Sequence, residues 1–484
     1  MLTPIGHASA HSGAVLALAS VRLAGEPWVC SSGYDGAIKL WRLSPSGSLS
    51  EEASAIRPGG GAVFSLEAAE LADGSALLAA GSYNRELTLR HLSLSQPGAI
   101  PTMSTRMVSK LHTGWVRSIA FAARSGKREG GKREGGRSVD ESLAHAPSPT
   151  LSSRALSSSA SEPPHMAFSI GCNYILGWTL DNLLDDSSLG DGAFTPHSNP
   201  TPRDPSFELE IREDAVRTHD ILCVAHAAET LVAGSVDGAM RAWATEGWLG
   251  GGGGARLTPH ARACAHWQAH AARVAAVRVQ GGRIYSGCYA GLLRCWAPPT
   301  PSPPPPDASA PPSPLPSQAH TTPRSTAARG SSSAEVGGGL SSATEGRWGD
   351  GGEGGVGGAH PPVPPPWTLA SSLQLSKGRV LSLAGSGRRL FCGTSEGELS
   401  EILCADETVE AAAHQGGSKI SEEQISGVQL SETARRTLTP PQGDGGGGAH
   451  DPARVAALVC CTSVDGVQVL VAGDSYGRLH TFAV

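Results

Sequence analysis

The chain has 484 residues, a formal net charge of -6 and an isoelectric point near 6.3. These values argue against a general nucleic-acid surface, which requires clustered Lys and Arg side chains. No run of about eighteen apolar residues occurs, so the sequence predicts no membrane span. The ten cysteines lack paired metal-ligand spacing and favour buried thiols in a reducing compartment, which predicts a cytoplasmic protein with the nucleus as the alternative.

A short hairpin recurs along the chain. Its first copy spans residues 31–41, turns at Asp35-Gly36 and ends on Trp41. A tight two-residue turn requires a positive φ, which Gly tolerates better than other residues. Aligned copies place Gly at this position in five modules and Asn173 in a sixth, and Arg85 departs from the pattern. The five glycines are Gly36, Gly238, Gly291, Gly397 and Gly477.

Each hairpin follows another apolar strand that opens with Val or a similar residue. In three modules a His lies four residues before that Val: His11, His112 and His270. The sequence therefore predicts seven similar modules. The openings lie at residues 14–18, 62–66, 115–119, 222–224, 273–277, 379–383 and 454–458.

The modules resemble WD repeats, in which Gly-His begins the repeat, Ser and Asp flank the hairpin turn, and Trp-Asp ends it. The closing aromatic is replaced by Arg90 and Ile402 in the second and sixth modules, and the Asp after Trp is missing throughout. The resemblance implies an all-β, seven-bladed β-propeller of four-stranded blades as one domain over residues 1–484. It also implies a buried network in the first module, which alone has the complete set: His11, Ser31, Asp35 and Trp41.

The two ends of the chain are expected to close the ring. The seventh module stops at residues 479–484, which form its third strand, and residues 2–5 precede the first module. In propellers of this family an N-terminal strand often completes the last blade. Such closure would protect strand edges from aggregation.

Four low-complexity inserts interrupt the modules and are predicted to be disordered, because they have too few apolar residues to offset the entropy of ordering. Most follow the first or third strand of a module, so they are expected on one face of the propeller. The opposite face would keep short loops. The inserts are residues 124–165, 185–205, 298–366 and 405–450.

The short-loop rim carries residue types that are enriched at binding hot spots. In the resembled family this rim commonly holds partner peptides, and converging Arg side chains favour an acidic or phosphorylated segment. Ordinary turn and solvated residues remain the alternative interpretation. The predicted partner-binding residues are Tyr34, Tyr83, Tyr289, Trp115, Arg273, Arg379 and Arg454.

No catalytic site, metal site or cofactor is predicted. The sequence contains no nucleophile elbow, phosphate loop or His-Glu-x-x-His motif, and the recurring His residues are structural parts of the repeat. We therefore expect a non-catalytic interaction scaffold that binds proteins, without an indication of its oligomeric state. The alternatives are a ubiquitin-ligase substrate receptor, whose Arg after Trp-Asp is not seen here, and a propeller hydrolase.

Overall fold

The computed structural model describes most of the modules and leaves the longest connections out. One compact unit comprises Met1–Pro299 with Pro364–Val484, and the second unit, Thr300–Val363, lies outside the described residues. Within the first unit the described residues form strands joined by turns. They are 2–55, 61–123, 164–180, 207–210, 220–227, 230–245, 265–298, 367–406, 428–440 and 452–484.

The strands form seven antiparallel sheets of four, so the predicted all-β propeller of seven four-stranded blades is confirmed. Blade one contains β2 (Val15–Leu23), β3 (Glu26–Gly33), β4 (Ile38–Leu43) and β5 (Leu49–Ala55); blade two contains β6 (Val63–Glu70), β7 (Ala76–Ser82), β8 (Leu87–Ser93) and β9 (Thr102–Ser109); blade three contains β10 (Val116–Ala123), β11 (Pro164–Gly171), β12 (Tyr174–Thr179) and β13 (Phe207–Glu210); blade four contains β14 (Ile221–Ala227), β15 (Thr230–Ser235), β16 (Ala239–Ala244) and β17 (Ala265–Gln268).

Blade five contains β18 (Val274–Gln280), β19 (Arg283–Cys288), β20 (Leu292–Ala297) and β21 (Thr368–Gln374); blade six contains β22 (Val380–Ser386), β23 (Arg389–Thr394), β24 (Glu398–Asp406) and β25 (Val428–Thr437); blade seven contains β26 (Val455–Thr462), β27 (Gln468–Asp474), β28 (Arg478–Ala483) and β1 (Thr3–Ser9).

Burial is greatest in the second strand of a blade and least in the fourth strand, at the edge of the ring. The first strands of neighbouring blades contact one another, and β2 contacts both β6 and β26, which closes the inner ring. Second strands such as β7 are buried along their whole length, whereas the fourth strands β9 and β21 contain several exposed polar residues. Apolar clusters form between adjacent blades, as where Trp28 and Leu40 of blade one join Leu78 of blade two. Each blade is therefore stabilised mainly by its neighbours.

The first strand also carries a polar link between blades at its third residue. Ser65 Oγ donates to the carbonyl of Val116 in the next blade at 3.2 Å, and Ser382 Oγ donates to that of Val455 at the same distance. Cys223 Sγ makes the equivalent contact with Val274 O at 3.6 Å. Small hydroxyl or thiol side chains at this position therefore hydrogen-bond the first strand of the next blade.

The ring closes through the N-terminal strand, as the sequence predicts. β1 pairs antiparallel with β28, from Thr3 opposite Ala483 to Ser9 opposite Arg478. The strand is longer than the predicted segment of residues 2–5. It gives the seventh blade its fourth strand and covers the edge of β28.

The predicted inserts lie mostly outside the described residues, and the prediction is wrong at two boundaries and within one insert. Pro164 and His165 begin β11, and residues 405–406 end β24. The larger error is β25, a ten-residue strand inside the predicted insert 405–450. Its polar sequence, with Glu432, Arg435 and Arg436, conceals a fourth strand because one face of an outer strand is solvated.

The hairpin turns use the expected glycines. Gly36, Gly238, Gly291, Gly397 and Gly477 all have φ between 73° and 83°. A Cβ at Gly238 would also collide with the carbonyl of His270, because the turn packs against the link to the next blade. These two constraints together explain why Gly recurs here.

The third blade departs from the prediction that Asn173 takes the Gly position. Cys172 is the residue with positive φ, at 54°. Two residues separate β11 from β12, whereas four separate β3 from β4 in blade one. Because the turn is shorter, the residue with positive φ lies one position before Asn173 in the chain.

Candidate functional site

The short-loop face is defined by two kinds of connection. It contains the turns between second and third strands of a blade and the links from a fourth strand to the next blade. Every first strand begins at this face, so the residues just before and after that start surround the mouth of the central channel. All seven predicted partner-binding residues lie in these connections.

An aromatic cluster occupies blades two and three. The ring centroids of Tyr83 and Trp115 are 4.8 Å apart, and Phe64 stacks on Trp115 at 5.5 Å with an interplanar angle of 19°. The guanidinium of Arg117 lies 4.7 Å from the Trp115 ring. Tyr83 is 46% exposed and Trp115 is 37% exposed. Both are large aromatic residues, which are usually stabilised by burial in a core. An exposed cluster of this kind is typical of an interaction surface.

Phe64 and Arg117 are site residues that the sequence analysis missed. Each is the second residue of a first strand, and in every blade the pairing register shifts between the first and third residues of that strand. A bulge of this kind redirects the side chain of the extra residue. The regular alternation of a strand does not predict this direction for the second residue. The sequence signal for the bulge is the repeated Val at the first position of the first strand, followed by Ser, Ala or Cys at its third position.

A cationic cluster occupies blades five and six. The guanidinium carbons of Arg273 and Arg379 lie 5.9 Å and 4.7 Å from the centroid of the Tyr289 ring. Both arginines are exposed, and Tyr289 is half-buried. The structure thus brings together three of the predicted residues. Contact with an aromatic face leaves the in-plane N–H donors of a guanidinium available.

The remaining two predicted residues extend these clusters around the mouth. Tyr34, in the blade-one turn, is 65% exposed, and its backbone N–H donates to Ala14 O at 2.9 Å. Arg454 precedes β26 and is exposed, and its backbone N–H donates to Ser475 Oγ at 3.1 Å. Among the seven predicted residues, aromatic side chains lie at the rim on blades one to three, and the arginines lie with Tyr289 on blades five to seven.

The channel behind the mouth encloses about 420 Å³ and is lined by first-strand residues. Seven aliphatic side chains, one from the fourth position of each first strand, surround it at one level: Leu18, Leu66, Ile119, Val224, Val277, Leu383 and Leu458. Glu67 and Arg278 lie one residue further along. Burial raises the pKa of Glu67 to about 7, and the charge of Arg278 opposes this rise.

A buried network lies beneath the short-loop face in blade one. Trp41 Nε1–H donates to Ser31 Oγ at 2.8 Å, and the Ser31 hydroxyl bonds His11 Nε2 at 2.9 Å. His11 Nδ1–H then donates to Asp35 at 2.9 Å. The Asp35 carboxylate also accepts the backbone N–H groups of Ser12 and Ala37, at 3.1 and 3.0 Å. The network ties the hairpin turn to the preceding link.

Blades three and five contain the same network without its carboxylate. His112, Ser169 and Trp178 repeat the bonds of blade one at 2.8 Å each. His270, Ser286 and Trp296 do so at 2.7 and 2.8 Å. The Nδ1 atoms of His112 and His270 are buried, and within the described part of the chain neither has a hydrogen-bond partner. Burial lowers the pKa of both imidazoles to about 4.

Blades four and seven hold their turns by other polar groups. In blade four, Arg241 is 2% exposed, and its guanidinium donates to Ser235 Oγ at 2.9 Å and lies 3.7 Å from Asp237. In blade seven, Asp474 accepts from Arg478 Nε at 2.7 Å and from His480 Nε2 at 2.9 Å. The folded pKa of Asp474 lies below its usual range; its burial would raise it, but these bonds more than compensate.

The described residues contain no group of three or more His, Cys, Asp or Glu side chains arranged to hold a metal ion. Within the same residues, no helix has the length and apolarity needed to cross a membrane. The thiols of Cys30, Cys223 and Cys461 are buried, and burial raises the pKa of each to about 12. These thiols are therefore poor nucleophiles at neutral pH.

No protein-family model and no curated protein sequence matches the chain. Among solved structures, the chain is similar to Sqt1 of Saccharomyces cerevisiae, with a TM-score of 0.49 and 9% sequence identity. That similarity covers 100% of this chain and 99% of Sqt1. The blade assignment rests on the strand pairing described above, independently of this likeness.

Proposed function

We propose that this protein is a WD-repeat-like, non-catalytic interaction scaffold that binds a partner protein segment across the short-loop face. The observation that carries the proposal is the exposed cluster of Tyr83 and Trp115 beside the channel mouth. Aromatic side chains supply a large contact area with little loss of rotamer entropy on binding. Exposure of these aromatic surfaces to water is unfavourable in free energy, and a bound segment would bury them.

The family assignment draws on the networks as well as on the strands. Three blades share a His, a Ser and a Trp joined in the same order, as the WD-repeat pattern implies. Repetition at equivalent positions is hard to attribute to chance packing. This agreement supports a WD-repeat-like chain despite the missing Trp-Asp ending.

The distribution of charge on the rim suggests the partner's chemistry. Arg273, Arg379 and Arg454 occupy three consecutive blades and are exposed. Acidic side chains would meet them through charge-assisted hydrogen bonds, while an apolar side chain meets the aromatic cluster. We propose an acidic partner segment with an apolar anchor.

The buried hydrogen bonds of the three repeated histidines support the non-catalytic assignment. His11, His112 and His270 are buried, and their Ser partners accept hydrogen bonds from buried Trp side chains. A serine held in this way has no access to a substrate. The buried thiols favour a reducing compartment, so we propose a cytoplasmic location.

The proposal can be tested by affinity capture with the full chain and with the variant Tyr83→Ala/Trp115→Ala. Partners that use the aromatic rim should be lost or weakened at least about tenfold, which corresponds to about 1.4 kcal/mol. A matched control is Val464→Ala/Val467→Ala, because these two exposed apolar residues lie at the opposite end of blade seven. Circular dichroism would verify that both variants are folded.

A partner that is retained by the rim variant and lost with the control would place binding on the opposite face. A second variant, Arg273→Glu/Arg379→Glu, tests the acidic segment separately. It should abolish capture of the same partner and leave the melting temperature unchanged, because both side chains are exposed. Unchanged capture by this variant would overturn the acidic character of the partner.

A further inference from the structure

The cationic cluster of blades five and six has no counter-charge among the described residues, unlike two arginines beside the same face that pair with carboxylates. Arg435 pairs with Glu432 at 2.8 Å and with Glu398 at 3.3 Å, and Arg478 pairs with Asp474. By contrast, no described carboxylate lies within ion-pair distance of Arg273 or Arg379. Both arginines are therefore exposed without an ion-pair partner in the described part of the chain.

Tyr289 organises the pair. Its ring lies within 6 Å of both guanidinium carbons, so the two side chains of adjacent blades share one aromatic neighbour. The backbone around them is fixed, since Tyr289 N–H donates to Arg273 O at 3.0 Å and Ser395 N–H donates to Arg379 O at 2.9 Å. Two exposed cations that contact the same aromatic ring favour a ligand that carries more than one negative charge.

We propose that Arg273, Tyr289 and Arg379 form a recognition site for a phosphorylated side chain of the partner segment. This inference rests on the proposed function and specifies the chemistry recognised at one half of the same surface. A phosphate monoester carries a charge of about -1.5 to -2 at pH 7 and three acceptor oxygens. Its three oxygens can accept hydrogen bonds from more than one guanidinium group, so the proposal requires Arg273 and Arg379 to contact the same phosphate.

A carboxylate fits the pair less well. It carries one negative charge and two oxygens, which match the two parallel donors of a single arginine. Binding a carboxylate would leave one net positive charge in the cluster. A phosphate neutralises both arginines, so the site is expected to distinguish phosphoserine from glutamate as well as from serine.

One carboxylate near the site sharpens the test. Glu396, in the blade-six turn, accepts from Ser395 Oγ at 3.1 Å and packs over Gly378, the residue before Arg379. Its negative charge should disfavour an incoming phosphate. Glu396→Gln should therefore strengthen phosphate binding, which a merely structural role of the turn would not produce.

The experiment uses the full chain and three fluorescein-labelled degenerate nonapeptide pools, whose fixed central residue is phosphoserine, serine or glutamate. Fluorescence anisotropy at pH 7.5 should show the phosphoserine pool binding about tenfold or more tighter than either other pool. Arg273→Gln, Arg379→Gln and Tyr289→Leu should each reduce that preference. Arg388→Gln is the matched control, because Arg388 is exposed at the opposite end of blade six.

Titration gives a second readout. The second pKa of a phosphate monoester is about 6, so the preference should fall when the pH is lowered from 7.5 to 5. A preference that survives Arg379→Gln, or the absence of any preference in the wild-type chain, would overturn the phosphate site. If the three pools bind equally and Tyr83→Ala/Trp115→Ala weakens all of them, the scaffold stands and the phosphate site fails. If no pool responds to either set of changes, both proposals fail.

Discussion

Blade one and blade five contain the same three buried side chains in the same order, yet only the first completes the set. In blade one, Asp35 accepts the Nδ1–H of His11 and two backbone N–H groups. In blade five, Ala290 stands at the Asp position, and the Nδ1 of His270 is left without a hydrogen-bond partner in the described structure. A buried donor without an acceptor costs about 1–3 kcal/mol.

The comparison shows that the His–Ser–Trp part can persist without its carboxylate. Ser286 still bonds both Trp296 and His270, so the link before β18 stays attached to the blade. The carboxylate adds the hairpin turn to this network and bonds a backbone N–H of the link. A blade that lacks it therefore keeps its core and has a less firmly held turn.

The largest effect is expected from removing the shared serine. Ser286→Ala would leave both His270 Nε2 and Trp296 Nε1 without partners, at about 1–3 kcal/mol for each group. Chemical denaturation should show a correspondingly lower free energy of unfolding. Ser372→Ala, at an exposed position of β21, is the control. Equal stability of the two variants would mean that the serine does not hold the network.

Acidification tests the same comparison through the histidines. The folded pKa of His112, His226 and His270 is about 4, against 6.5 for an ordinary His. As the pH falls below 6.5, these histidines bind protons in the unfolded chain before they do so in the folded chain. The stability that the neutral histidines contribute is therefore fully present above pH 6.5 and is lost as the pH falls toward 4. We expect a loss of about 1 kcal/mol for each histidine between pH 7 and 5.5.

Glu67 has the opposite dependence, because its folded pKa is raised to about 7 and its protonation stabilises the folded chain as the pH falls. The measurement therefore belongs in a Glu67→Gln background. Denaturation midpoints at the two pH values provide the readout. A stability that stays constant over this range would contradict neutral, buried imidazoles.

A smaller effect is expected when blade one is converted to the pattern of blade five. Asp35→Ala removes the acceptor of His11 Nδ1–H and of two backbone N–H groups. The two backbone groups can bond water instead, because Asp35 is partly exposed. The expected loss is about 1–2 kcal/mol, measured by thermal unfolding. Asp465→Ala, in the exposed turn before β27, should change nothing. Similar losses for the two variants would remove the distinction between the blades.

The smallest effect is the reverse conversion. Ala290→Asp would supply an acceptor to His270 Nδ1, in a turn whose Gly291 has nearly the same φ as Gly36 beside Asp35, 73° against 75°. We expect a gain of about 1 kcal/mol and a weaker loss of stability on acidification. A destabilised variant would show that the two turns differ in more than this one side chain.

The repeat could be predicted because its signals are local. Gly36 and its equivalents lie five residues before the position of the closing aromatic, and each hairpin follows a strand that opens with Val or a similar residue, so each module can be recognised by itself. What could not be predicted depends on register or on distant partners. The side chain of Phe64 faces the mouth because of a shift in pairing, and β25 is polar on its solvated face.

The candidate site was predicted in part for the same reason. Tyr83, Trp115, Tyr289, Arg273 and Arg379 could be placed on one face from their positions in the repeat. Their grouping into an aromatic and a cationic cluster depends on side-chain rotamers and neighbouring blades. The sequence shows that, of the three modules with this His, only the first has the Asp acceptor, but the lack of any other partner for His112 Nδ1 depends on the packing around its ring.

The pairing of β1 with β28 has a consequence for how the protein is made. The two strands meet across 475 residues, as in the bond from Thr481 Oγ1 to Gly6 O. At about 5–20 residues per second, a ribosome needs about 25–95 s to synthesise that interval. During this time β1 has no partner strand, and the seventh blade cannot assemble. The nascent chain therefore carries an open ring with two unpaired edges, and we expect chaperones to be needed most in the interval before closure.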